Sequence, residues 1–178
     1  LYMPTWRGTL TKKASNQLIL MMEYYLRPLD YLLKENEVLY VKLHPFVNKA
    51  MDFSKYQHIR PYPSEYDTYE FLNMTDVLVT DYSSVIFEYS FFEKPVVFFV
   101  PDLDQYRNSR DFYYPLDYYT YGDIALDFDS LIKCIKSGKV DKKKIKEFKN
   151  KNLNTSLELV QFIKFLREMT FLEFFERL

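Results

Sequence analysis

Short, uniformly apolar runs alternate with longer amphipathic stretches along this chain of 178 residues. The runs at 38–43 (VLYVKL), 77–80 (VLVT) and 96–100 (VVFFV) are rich in β-branched and aromatic residues. They predict strands buried on both faces, the pattern of a parallel sheet. Residues 1–5 (LYMPT) predict a further short strand, ended by Pro4. Between these runs the period lengthens. Leu18, Met21, Met22, Tyr25, Leu29, Leu32 and Leu33 share one stripe and predict a helix over 15–33, which Pro28 should kink or split. Shorter helices are expected over 67–74, opened by Asp67 or Thr68, and over 85–92. Another is expected over 128–137, with Asp127 or Asp129 near its start and Gly138 as its stop. A long helix from about Ser156 to Leu178 closes the chain. Strands alternating with helices predict an α/β fold, a Rossmann-like three-layer domain around a parallel sheet. One domain is expected over 1–150, followed by a terminal helical segment at 151–178.

Composition narrows the function. With 17 Tyr and 16 Phe the chain is far too aromatic to be disordered. It has three Gly and nowhere the spacing G-x-G, which excludes a glycine-rich dinucleotide fingerprint. The formal net charge of −1 offers no basic balance for nucleic acid, and none is expected as a partner. The basic run Lys142, Lys143, Lys144 and Lys146 reads as a solvated helix face. Cys134 stands alone on a predicted helix and reads as a small buried hydrophobe. Without a disulfide framework, a reducing compartment is expected. Two His and one Cys give no zinc ligand set, and neither a metal nor another cofactor is expected. No apolar run approaches the ~20 residues of a membrane span, and the start shows no signal-peptide pattern. The first residue is Leu1 rather than Met, so a preceding segment is expected to lie outside this chain.

Open parallel sheets bind ligands at the carboxyl ends of their strands. The residues there are Trp6 and Arg7, then His44 and Pro45, then Asp81, Tyr82, Ser83 and Ser84, and finally Pro101 and Asp102. The turn Thr80-Asp81-Tyr82-Ser83-Ser84 opens a helix whose first N–H groups lack intrahelical partners, a setting that suits a phosphate. The same residues would also serve as a simple helix cap, and the spacing leaves both open. Glu88, one turn later, is either a hydroxyl acceptor or an exposed helix charge. His44 is held extended before Pro45, where an imidazole could bind a diphosphate or protonate a leaving phosphate. Arg107 and Arg110 sit in a loop-like stretch after Asp102, and arginine pairs bidentately with phosphate. His58 has no such placement.

These residues carry a likeness. The stretch 76–114 reads strand, T-D-Y-S-S, a helix with an aromatic, an acid and Tyr, K-P, an apolar strand, D-x-x-x-Y and R-x-F-Y. It resembles the most recognisable block of the CDP-glycerol glycerophosphotransferases. MPTWRG at 3–8 and VKLHP at 41–45 are similar to family segments in the same order, and the likeness covers roughly residues 1–137. It implies the C-terminal, donor-binding lobe of a GT-B-like fold, two Rossmann-like lobes with a cleft between them. The implied reaction moves glycerol phosphate from CDP-glycerol, or another CDP-polyol such as CDP-ribitol, to a polymer or lipid-linked acceptor and releases CMP. By position, His44 would be the catalytic contact with the diphosphate. Ser83 and Ser84 would hold phosphate, with Arg110 as cationic partner and Arg7 beside them. Glu88 would bind donor hydroxyls and Asp81 would brace the turn.

Three departures stand out: Glu88 where Asp is usual, Asp111 where Gly is usual, and Gly8 where an acid often stands. No general base for the acceptor is evident, which assigns that group to the other lobe. The implied setting is cytoplasmic, at the inner face of the cell membrane, with peripheral membrane contact through the other lobe. In such folds the last helix often crosses to that lobe. Its surplus of apolar residues leads us to expect an exposed patch near Phe171 to Phe175 and self-association. Two other readings share the residues: a nucleotide-sugar glycosyltransferase lobe, and a non-catalytic nucleotide-binding or interaction module.

Overall fold

The computed structural model describes residues 1–5, 12–44, 51–109 and 115–152. Among them, six strands form one sheet: β1 (Tyr2–Met3), β2 (Leu39–Val41), β3 (Ile59–Pro61), β4 (Leu78–Thr80), β5 (Val96–Phe99) and β6 (Asp123–Ala125). Their order is β3-β2-β1-β4-β5-β6, and every pairing is parallel. This is the doubly wound order in which the chain reverses direction beside its first strand. The seven helices described are α1 (Lys12–Leu32), α2 (Thr68–Met74), α3 (Val85–Tyr89), α4 (Leu103–Ser109), α5 (Leu116–Tyr119), α6 (Phe128–Ser137) and α7 (Lys142–Asn152). A single 3₁₀ turn, Ser90–Phe92, extends α3.

Alternation along the strands sorts the core into two layers. Tyr2, Leu39, Val41, Val79, Val97, Phe99 and Ala125 face one way, under Met22, Leu26 and Leu29 of α1 and Leu131 of α6. Leu1, Leu78, Val96 and Phe98 face the other, under Leu72 of α2, Val85, Ile86 and Tyr89 of α3, and Ile145 and Phe148 of α7. All four residues of β5 are buried, which is why that run reads as continuously apolar. Burying each such side chain contributes about 1.5–3 kcal/mol. The three-layer α/β expectation is thus met.

Several local details differ from the sequence reading. Helix α1 runs on through Pro28 as one element. Pro28 removes one backbone donor, but Met22, Leu26 and Leu29 on its inner face are buried on the sheet and hold the helix across it. The stretch containing Arg107 is helix α4 rather than loop. Strands β3 and β6 have only three residues each and lie at the two edges, where the apolar signal is weakest. Pro61 is tolerated in β3 because only one side of that strand is paired.

Short motifs have identifiable jobs. Lys94 donates to the carbonyls of Asn73 and Thr75 and so closes the C-terminal end of α2. Gly122 lets the chain enter β6 close to β5, since a Cβ there would sit 2.2 Å from the Val96 carbonyl oxygen. Gly138 ends α6 in the left-handed conformation, φ 53°, with its N–H on the Cys134 carbonyl. Cys134 is half-buried, and burial pushes its thiol pKa up, as befits packing rather than reactivity. No helix among the described residues is long and apolar enough to cross a membrane, and none of their side chains form a metal-binding group of three or more His, Cys, Asp or Glu. The expected terminal helix and its apolar patch lie outside the described residues.

Candidate functional site

The reversal in strand order falls between β1 and β4, so the crevice where such sheets take ligands opens above the carboxyl ends of these two strands. Asp81 is the first residue past β4, and its side chain turns sideways to β1. It accepts hydrogen bonds from the Thr5 N–H, at 2.8 and 3.0 Å to its two oxygens, and from the Thr5 hydroxyl at 2.5 Å. The Tyr82 N–H adds another at 2.6 Å. One residue earlier, the Thr80 hydroxyl donates to the Met3 carbonyl at 2.7 Å. Asp81 is 3 % exposed. A carboxylate so buried and so fully engaged by its own chain is a clamp between the two central strands. Substrate binding by its oxygens would compete with those bonds, so the structure favours the bracing role over direct contact.

With Asp81 turned aside, the start of α3 lacks a strong cap. Ser84 occupies the cap position with helical backbone angles, φ −67° and ψ −12°, and makes no side-chain capping bond. Ser83 accepts only a long bond, 3.3 Å, from the Val85 N–H. The Phe87 N–H is taken by the Ser84 carbonyl at 3.0 Å, which leaves the hydroxyls of Ser83 and Ser84 together at the start of α3 as the donors for a ligand. Helix α3 is only five residues long, so its dipole is small, and affinity for an anion would rest on these individual donors.

One turn along α3, Glu88 is half-buried, and its Oε2 is buried with no hydrogen-bond partner among the described residues. Unpartnered buried carboxylate oxygens are costly, and those that persist call for an explanation such as an absent ligand. This excludes the exposed-charge alternative. Nearby Tyr121 donates to the Ile86 carbonyl at 2.8 Å. Its phenol pKa is raised, first by burial and then by Tyr89 and Glu88.

The far side of the turn is held by an aromatic pair of which the sequence reading named only Tyr82. The Tyr82 ring stacks on Tyr106 of α4, with centroids 3.6 Å apart and planes at 16°. The Tyr82 hydroxyl donates to Asp102 at 3.3 Å. The D-x-x-x-Y spacing was the available signal, since it places Asp102 and Tyr106 one helical turn apart beside the motif. Thr5 was missed as well, because nothing in its local sequence marks it as the partner of a residue 76 positions away.

His44 is exposed at the carboxyl end of β2, the strand next to β1 on the side away from β4. At about 4.8 Å per strand, the ends of β2 and β4 lie about 10 Å apart. His44 is thus on the same edge as the turn, two strands away. Lys42, two residues earlier, lies over the Tyr62 ring at 3.8 Å, and burial lowers its pKa. His58 enters β3 from the opposite edge of the sheet, where Asp30 of α1 accepts its N–H at 2.8 Å. Arg7 and Arg110, with Trp6, Gly8, Pro45 and Asp111, lie outside the described residues.

Comparison with known proteins agrees with this geometry. Residues 1–156 match the family model of the CDP-glycerol:poly(glycerophosphate) glycerophosphotransferases. A teichoic acid ribitol-phosphate primase of Bacillus spizizenii is 35 % identical over 83 % of this chain and 38 % of its own length. A teichoic acid glycerol-phosphate primase of Bacillus subtilis is 33 % identical over 92 % of this chain and 42 % of its own. Among solved structures, the wall teichoic acid polymerase TagF superposes with a TM-score of 0.66 at 25 % identity, over 93 % of this chain and 42 % of that one. A variant of TagF soaked with CDPG gives a TM-score of 0.64, again at 25 % identity, over 93 % of this chain and 39 % of its own. The chain thus spans about two fifths of the length of these relatives. A match over most of its residues and a doubly wound fold shared with TagF together show that this chain belongs to the CDP-glycerol:poly(glycerophosphate) glycerophosphotransferase family.

Proposed function

We propose that this chain supplies the donor-binding lobe for transfer of glycerol phosphate from CDP-glycerol to the hydroxyl end of a polyol-phosphate acceptor. The observation that carries the reading is the open start of α3 at the strand-order reversal, with Ser83 and Ser84 on offer and the unpartnered Glu88 oxygen one turn below. The serines would hold donor phosphate, and Glu88 would accept from donor hydroxyls. In the reaction the acceptor oxygen bonds to the glycerol-linked phosphorus. The bond to the bridging diphosphate oxygen breaks, and CMP leaves with that electron pair. His44, on the same edge, would neutralise or protonate the departing phosphate. The lobe would contribute positioning and charge neutralisation, and the base for the acceptor hydroxyl would come from the rest of the protein.

A second donor, CDP-ribitol, is favoured by one observation: a ribitol-phosphate primase is the more similar of the two primases, at 35 % against 33 %. Calorimetric titration of the chain with CDP-glycerol, CDP-ribitol, a UDP-sugar and CMP tests both readings. We expect CDP-polyols to bind and Glu88→Gln to weaken the polyol donors more than CMP if Glu88 reads the polyol, or all of them equally if it reads ribose. Tight binding of the UDP-sugar with no CDP-polyol binding would sink the proposal.

A further inference from the structure

Seven lysines fall between Lys139 and Lys151, against Asp141 and Glu147, a local net charge of +5 in a chain of net −1. Six of the seven lie on α7. Its inner face, Ile145 and Phe148, is buried in the core. Lys142, Lys143, Lys144, Lys146 and Lys151 are exposed. Two engage neighbouring elements: Lys149 pairs with Glu93 at 2.9 Å, and Lys151 lies over the Tyr118 ring at 3.1 Å. Lys143 stands 4.0 Å from Glu147, both well exposed.

This arrangement opposes helix stability. Lys142, Lys143 and Lys144 occupy the first turn, where the peptide dipoles already place positive charge; Asp141 accepts from the Lys144 N–H at 3.1 Å, and Glu147 and Glu93 offset part of the rest. Lys142 and Lys146 are four residues apart, a like-charge pair on one face. These contacts offset the crowding only in part: six lysines against Glu147 on one short helix leave a surplus of positive charge at the surface, and a local rule broken in this way points to function. The helix is also next to the candidate site: Phe148 stacks on Phe87 of α3, centroids 5.4 Å apart, on the helix that opens at Ser84 and carries Glu88.

We propose that the exposed face of α7 binds a phosphodiester polyanion, the polyol-phosphate chain being extended, outside the donor pocket. This rests on the acceptor class proposed above. Lysines four apart have Cβ atoms about 5–6 Å from one another along the helix, and their flexible stems let the ammonium groups follow a flexible chain with one charge per repeat. A membrane is the less suitable occupant. Interfacial helices lay an apolar face into the bilayer, and the apolar face of α7 is already buried in the core.

The test is a titration of the full chain with poly(glycerol phosphate) of defined length at several salt concentrations, with CDP-glycerol titrated in parallel. The parent should bind the polymer with a steep salt dependence. The triple variant Lys142→Glu, Lys143→Glu, Lys146→Glu should bind it at least about tenfold more weakly and with a shallower salt slope, since each lost lysine–phosphate contact removes a released counterion. Its affinity for CDP-glycerol should be unchanged, and its melting temperature close to the parent's, because all three replaced side chains are exposed. The variant Lys142→Gln, Lys143→Gln, Lys146→Gln should give the same direction with a smaller loss. Polymer affinity equal in parent and variants overturns the proposal, as does lysine-dependent capture by phosphatidylglycerol vesicles without binding of free polymer. If CDP-glycerol fails to bind while lysine-dependent polymer binding remains, the donor reading falls and this one stands.

Discussion

Two strand-to-helix turns at the same edge of the sheet begin with an aspartate and end differently. After β6, Asp127 accepts from the Ser130 N–H at 2.7 Å, and the Ser130 hydroxyl accepts the Asp127 N–H at 3.1 Å, a complete capping box. After β4, Asp81 reaches across to Thr5, and the start of α3 has no cap from Ser84. One turn satisfies its own donors. The other spends its carboxylate on joining two strands and leaves donors facing the crevice. The difference lies in neighbours: β6 is an edge strand, whereas β4 lies beside β1, and Thr5, two residues past the end of β1, presents an N–H and a hydroxyl within reach. A polar turn is left open as a candidate site when tertiary structure takes its cap away.

The largest effect should come from His44→Ala, read as turnover of the CDP-polyol donor. We expect turnover to fall by about 10²–10⁴-fold with little change in melting temperature. Near-normal turnover would remove His44 from the chemistry and leave the open turn to act by binding alone.

Next in size is the clamp. Asp81→Ala strands the Thr5 and Tyr82 donors and should cost about 3 kcal/mol in urea unfolding, the scale of a buried acceptor lost from several donors. A loss below about 1 kcal/mol would mean that β1 and β4 do not depend on it.

The sharpest contrast is Ser84→Ala against Ser130→Ala. Ser84 caps nothing, so its removal should leave stability within about 0.5 kcal/mol and weaken CDP-glycerol binding by about 1–2 kcal/mol. Ser130→Ala should lower the melting temperature and leave donor binding alone. The reverse pattern would make the turn after β4 an ordinary helix start.

The smallest effect is in acid. The Ser130 N–H and hydroxyl hold the Asp127 pKa below its ordinary 3.8, and the Lys144 N–H does the same for Asp141. Groups whose pKa is lower folded than unfolded stabilise fully above the unfolded value, and the benefit fades as pH falls through the folded value. Asp127→Asn should therefore flatten part of the loss of melting temperature below pH 3.8. An identical acid profile in parent and variant would show that the box contributes no pH-dependent stability.

Much of this was legible in the chain alone. The runs VLVT and VVFFV could be placed because parallel strands in the middle of a sheet are buried on both faces and so lack polar alternation. Helix α6 was bounded at both ends because Asp127 and Gly138 act locally, one as cap and one as left-handed stop. The family block at 76–114, with Asp81, Ser83, Ser84 and Glu88 as candidates, and the separate segment 41–45 with His44 were each likewise contained in contiguous sequence. Tertiary structure decided the rest: whether Asp81 caps or clamps, whether the Glu88 oxygen is exposed or buried without a partner, and which face of the lysine helix is left to solvent. Each depends on what distant residues bring alongside. A pairing such as Asp81 with Thr5, or a stack such as Tyr82 on Tyr106, is fixed by the order of strands in the sheet. Hydrophobic periodicity reports which residues are buried and in what local form, but carries no record of which strand will be its neighbour.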